Sequence, residues 1–300
     1  MLYFCCMYYR RKILLSLLQT FEGKLDKMSL QKLLFLLSRQ QKEKSFHFVP
    51  YKFGCFSFQA KADLETMAKY NIVVTSGNYW EKIDQNDYVS ELNVVDQTAI
   101  RYIKSQFGKM SKDELVKHTY QKYPYYAINS KMATNILSID ELAKIEKQKP
   151  HKTETVLFTI GYEGVSLEEY LNKLIINDIK VLCDVRKNSF SMKYGFSKNQ
   201  LQNACNGVGI EYKHIPEVGI ESDKRQELNT QSDYDKLFVF YKANILKKEI
   251  GKQKEILSLL QIQKRIALTC FEANICQCHR KHLAESISKM EGFDYQLKHI

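Results

Sequence analysis

Along residues 10–21 the apolar positions Ile13, Leu14, Leu17, Leu18 and Phe21 fall three and four apart, the period of a helix with one buried face. Residues 29–41 repeat the pattern with Leu30, Leu33, Leu34 and Leu37, and Ser29 stands where an N-cap belongs. Residues 46–53 then alternate apolar and polar side chains up to Gly54, which predicts a short strand and a turn. Helical spacing returns over 57–70. Residues 72–75 and 79–83 flank Gly77-Asn78, the pattern of a hairpin with a two-residue turn. Two more helices follow over 91–107 and 111–122, the second opened by Ser111 and Glu114 in capping-box spacing. Helices followed by a hairpin is the order of a winged helix, so residues 1–145 read as a mainly helical, winged-helix-like domain.

The rhythm then changes. The stretch KIEKQKPHKTET (144–155) is polar, holds Pro150 and has no apolar period, which marks 146–155 as a linker. Beyond it, apolar strands at 155–160, 179–185, 210–215 and 265–271 alternate with helices at 166–176, 197–206, 234–260 and 278–290. Ser166 and Ser197 are the expected N-caps. Strands alternating with helices predict a parallel sheet covered on both faces, so residues 156–300 read as a compact α/β domain.

Composition narrows the class. A chain of 300 residues fits two domains, and 44% hydrophobic with 26% charged residues is globular rather than disordered. The apolar runs are too short for a membrane span. Residues 1–9 are apolar and precede Arg10, Arg11 and Lys12, the reverse of a secretory signal. Residues 1–6 therefore read as a short extension, with Met7 as an alternative start to Met1. The eight cysteines lack the spacing of a disulfide framework, which points to reduced thiols and a cytoplasmic protein. The net charge of +11 is uneven: residues 1–150 hold 23 Lys and Arg against 15 Asp and Glu, residues 151–300 hold 22 against 19. A basic first half fits attraction to phosphate or an acidic partner, and equally fits simple solubility.

The chemistry concentrates at the expected strand ends, where open parallel sheets bind ligands. Gly161, Tyr162, Glu163 and Gly164 follow the first strand; Asp184 and Arg186 follow the second; Tyr212 and His214 lie on the third; Cys270 and Glu272 end the fourth, ahead of Cys278, His279 and Arg280. Each has a plain structural alternative. The two glycines permit a tight turn as readily as a phosphate cradle. Asp184 and Arg186 are placed to form a local ion pair, and Cys270 to be an inert core residue. A Gly-Tyr-Glu-Gly turn lacks the third glycine of a dinucleotide fingerprint, so nicotinamide binding by that route is disfavoured and the cofactor stays unknown. Cys270, Cys276, Cys278 and His279 lack the paired spacing of common zinc sites, and neighbours on a helix point apart, so no metal site is predicted. A catalytic Cys270 is the alternative there, activated by a helix N-terminus and Arg280 and opposed by Glu272.

The motifs TIGYEG (159–164), DVR (184–186), GFS (195–197), IEYKHIPEVG (210–219) and CFE with CHR (270–272, 278–280) resemble, in order and spacing, the bacterial family called domain of unknown function 488 over residues 155–290. The resemblance implies a compact Rossmann-like domain and supplies no reaction. One departure is Lys187-Asn188-Ser189, where relatives often carry a proline. LQKLLFLL (30–37), FVPYKFGCFSFQAKADLETM (48–67) and YPYYAINS (123–130) resemble the winged-helix-like domain of the Panacea antitoxin group, with Gly54-Cys55 in place of the usual Gly-Pro. That resemblance implies a regulatory or interaction module.

The expected site takes Glu163, Asp184, Glu272 and Cys270 as catalytic candidates, with Gly161, Tyr162, Gly164, Arg186, Tyr212, His279 and Arg280 as ligand-binding candidates. The expected ligand is a nucleotide or nucleic acid. The alternatives are a non-enzymatic regulator binding DNA or protein through its first half, and a cysteine-dependent sulfur or phosphate transferase.

Overall fold

The computed structural model describes residues 7–221, 223–225 and 228–300. The expected extension at 1–6 lies outside the described residues. The chain divides into two units, meeting at Lys149 and Pro150.

In the first unit the order is α1 (Tyr9–Thr20), β1 (Lys24–Asp26), α2 (Lys27–Ser38), β2 (Val49–Tyr51), β3 (Gly54–Phe56), α3 (Phe58–Lys69), β4 (Val73–Ser76), β5 (Tyr79–Lys82), α4 (Val94–Phe107), α5 (Lys112–Lys122), α6 (Ala133–Ile136) and α7 (Ile139–Glu146). Its core is built from the apolar stripes of α1 and α2, closed by Leu64, Trp80, Ile100 and Ile103. Strands β1, β5 and β4 form an antiparallel sheet in that order, and β2 pairs with β3. The cap of α2 is Asp26, whose carboxylate accepts from Met28 N and Ser29 N, so the helix starts two residues before Ser29. The Ser111–Glu114 capping box is present. A second box, Ser138 with Glu141, opens α7, which runs on to Glu146 through the polar stretch.

The second unit holds β6 (Val156–Gly161), α8 (Leu167–Ile176), β7 (Val181–Asp184), α9 (Lys198–Gly207), β8 (Glu211–His214), α10 (Gln231–Phe240), a π-helical turn (Tyr241–Leu246), α11 (Ile250–Gln263), β9 (Arg265–Cys270), α12 (His279–Ile287) and β10 (Gln296–His299). All five strands are parallel, in the order β10-β6-β9-β7-β8. Every residue of β7 and β9 is buried, the mark of strands covered on both faces. Leu157, Val181, Cys183, Ile266 and Leu268 pack against Ile256 and Leu260 of α11 and Leu283 and Ile287 of α12. Ser166 caps α8 through a capping box with Glu169. Ser197 makes no such cap: its Oγ donates to Ser191 O and tethers the preceding loop instead.

Strand order positions the site. The connection from β6 leads past β9 to β7, and the one from β9 leads past β6 to β10. These opposite departures make the carboxyl ends of β6 and β9 the topological switch point, the usual place for a ligand in an open parallel sheet.

Candidate functional site

Gly161 ends β6 opposite Cys270, and Asp184 ends β7 opposite Thr269, so their loops rise side by side. Gly161 is required by contact: a Cβ there would stand 2.0 Å from Glu272 O. Gly164, with φ of +76° and open space around it, serves the turn alone.

Two polar networks occupy this end of the sheet. In the first, Arg186 Nε donates to Asp184 Oδ1 (2.8 Å) and Nη2 donates to Oδ2, a bidentate pair on side chains 5% and 0% exposed. Tyr212 Oη donates to Asp184 Oδ2 (2.6 Å), and Arg186 Nη1 donates to Tyr162 Oη (2.6 Å). The Tyr162 ring stacks on Phe196 at 4.3 Å and meets Phe271 edge-on. Burial disfavours the Arg186 charge, but the hydrogen bonds and charge of Asp184 outweigh it and hold the guanidinium protonated beyond its ordinary range. Burial, then the Asp184 charge, pushes the Tyr212 phenol up, so it is a hydrogen-bond donor rather than a phenolate. His214 Nε2 lies 2.9 Å from Arg186 O and fixes the loop from behind.

In the second network, Cys270 Sγ lies 3.2 Å from Glu272 Oε2 and 3.6 Å from His279 Nδ1. The other ring nitrogen, Nε2, is 3.0 Å from Val185 O. Cys278 joins them: its sulfur, that of Cys270 and a ring nitrogen of His279 all lie within 4.8 Å of one another, and all three residues are buried. Adjacent residues on a helix would diverge, but Cys278 is not helical. It is the extended N-cap of α12, at φ −126° and ψ 132°, which turns its side chain toward Cys270 alongside His279. Burial, reinforced by the Cys270 thiol, pushes the Cys278 thiol well above its ordinary range. Cys276 is exposed and stands apart, 3.9 Å from Lys281 Nζ.

Arg280 Nη1 donates to Glu272 O (2.6 Å), clamping the loop after β9, while its buried Nε has no acceptor among the described residues. Glu163 is exposed, and its carboxylate accepts from Ala273 N (2.9 Å). The strand-end residues named from the sequence thus share one end of the sheet, but most are buried in paired networks and only Glu163 and Gly164 are exposed among them. Sequence reasoning missed Lys193, whose Nζ donates to Tyr162 O (2.7 Å), and Thr269, which receives the Tyr170 hydroxyl (2.7 Å). A lysine in a polar loop and a threonine inside an apolar strand carry no local signal of such roles.

No curated protein matches the chain. Residues 166–287, a span holding Asp184, Arg186, Tyr212, Cys270, Glu272, Cys278, His279 and Arg280 but not Gly161 to Gly164, match the family model Domain of unknown function DUF488.

Proposed function

We propose that the second unit binds a nucleotide-like or nucleic-acid ligand through its phosphate at the carboxyl ends of β6 and β9, and acts on it or senses it. The observation that carries this reading is Arg280: a guanidinium at the switch point of the sheet whose buried Nε has no acceptor among the described residues, so that an oxygen admitted by a shift of the loop after β9 would complete its hydrogen bonds. The Asp184–Arg186–Tyr162–Tyr212 network is the rigid floor of that site, and exposed Glu163, held by Ala273 N, is the group placed for proton transfer. Among candidate chemistries a Cys270 nucleophile is the weaker, because its sulfur is fully buried behind Glu272.

Fluorescent nucleotides and short oligonucleotides, titrated against the full chain and against Glu163→Gln, Lys193→Ala and Arg280→Lys, test the reading. Binding that weakens about tenfold in Arg280→Lys, with Glu163→Gln binding normally but turning nothing over, is expected. A wild-type chain that binds none of these probes at low salt sinks it.

A second reading concerns the first unit. Helix, strand, helix, helix and hairpin, with the sheet order β1-β5-β4, support a winged-helix-like module. The helix before the hairpin, α3, carries Lys61 and Lys69 against Asp63 and Glu65, and Asp63 is tied to Arg10 and Arg11. That balance favours a protein partner over DNA. Salt-sensitive retention of duplex DNA by a variant lacking ligand binding at the second unit would reverse that preference.

A further inference from the structure

We propose that Cys270, Cys278 and His279 form a metal site, suited by its donors to zinc, at the junction of β9 and α12. Two sulfurs and an imidazole nitrogen within 4.8 Å, all buried, are a donor set for a borderline-soft divalent ion. The spacing agrees with tetrahedral ligation. With Zn–S of about 2.3 Å and Zn–N of about 2.05 Å, the S···N edge of a tetrahedron is about 3.6 Å; Cys270 Sγ and His279 Nδ1 stand 3.6 Å apart.

The histidine is prepared for the role. Its Nε2 faces Val185 O at 3.0 Å, and a carbonyl only accepts, so the ring proton belongs on Nε2 and the lone pair on Nδ1 points at the sulfur. A backbone carbonyl behind the ring is the usual way a metal-binding imidazole is oriented. Charge also balances: two thiolates and a neutral imidazole neutralise a dication without leaving net charge in a buried place. Glu272 Oε2, 3.2 Å from Cys270 Sγ, is an oxygen at hand for the fourth position, and the negative charge it would add is met by the buried guanidinium of Arg280, which is hydrogen-bonded to the Glu272 carbonyl. Binding would release the two thiol protons to solvent and change no oxidation state.

This inference stands on ligand geometry and is independent of the nucleotide reading. The test is the full chain purified under reducing conditions without chelator. About one zinc per chain is expected, replaceable by cobalt with a thiolate-to-cobalt charge-transfer band. Cys278→Ser should lose that band and Cys276→Ser keep it, with circular dichroism reporting whether each variant folds. Wild type supplies an arm free of folding effects: a strong chelator should bleach the cobalt band and release about one zinc per chain, while the circular dichroism of the chain reports whether the fold persists. A metal-free chain with no cobalt band, a cobalt band untouched by Cys278→Ser, or a Cys270–Cys278 disulfide found by mass would each overturn the proposal.

Discussion

Asp184 and Arg186 form a bidentate ion pair closed to solvent at the end of β7. Removing one member of a buried pair strands the other charge, at about 3–5 kcal/mol, whereas replacing both with apolar residues is far less damaging. Arg186→Met alone should therefore destabilise the second unit by about that amount in urea, and Asp184→Leu with Arg186→Met should recover a good part. A single variant costing under about 1 kcal/mol would show that the pair is not what holds the strand ends. Tyr120 makes a pH prediction in the first unit, because burial pushes its phenol from 10.0 to about 12. A raised folded-state pKa means stability that is complete below pH 10.0 and lost as pH climbs toward about 12. Wild type should lose on the order of 2 kcal/mol over that window relative to Tyr120→Phe, seen in denaturant midpoints; parallel curves would refute it.

Elements were legible where periodicity was long. The stripes in α1 and α2, and the Gly77-Asn78 hairpin turn, report their structure through local sterics alone. β1 and β10 were invisible because neither has a readable apolar pattern: β1 is three residues long with a single leucine, and β10 is a polar edge strand, mostly exposed. Which residues would gather at the strand ends was readable from the strand–helix alternation. Their pairing was not, since the approach of Cys278 to Cys270 depends on one extended cap residue. Gly161 and Gly164 make the same point and can be told apart by experiment. Gly161→Ala should cost at least about 2 kcal/mol, because its methyl meets backbone rather than a movable side chain. Gly164→Ala should cost only about 1 kcal/mol of backbone strain. Equal thermal shifts for the two would contradict the close-approach argument.

For the molecule as a whole, the exposed residues 151–154 at the start of the second unit lie in no helix or strand, and Lys147 and Lys152 stand beside or within them. Brief trypsin digestion should cut there first and give two fragments of near-equal mass; early cleavage elsewhere would argue against this junction as the most accessible stretch. The order β10-β6-β9-β7-β8 has a consequence for biosynthesis. Strand β6 is made early, yet its partners on either side are β9 and β10, residues 265–270 and 296–299. A nascent chain therefore carries β6 as an apolar strand with both edges bare through more than a hundred residues of translation, a template for pairing with other chains. The ribosome must finish the sheet's last strand before its first central strand is safe, so the second unit closes late while the first is already folded.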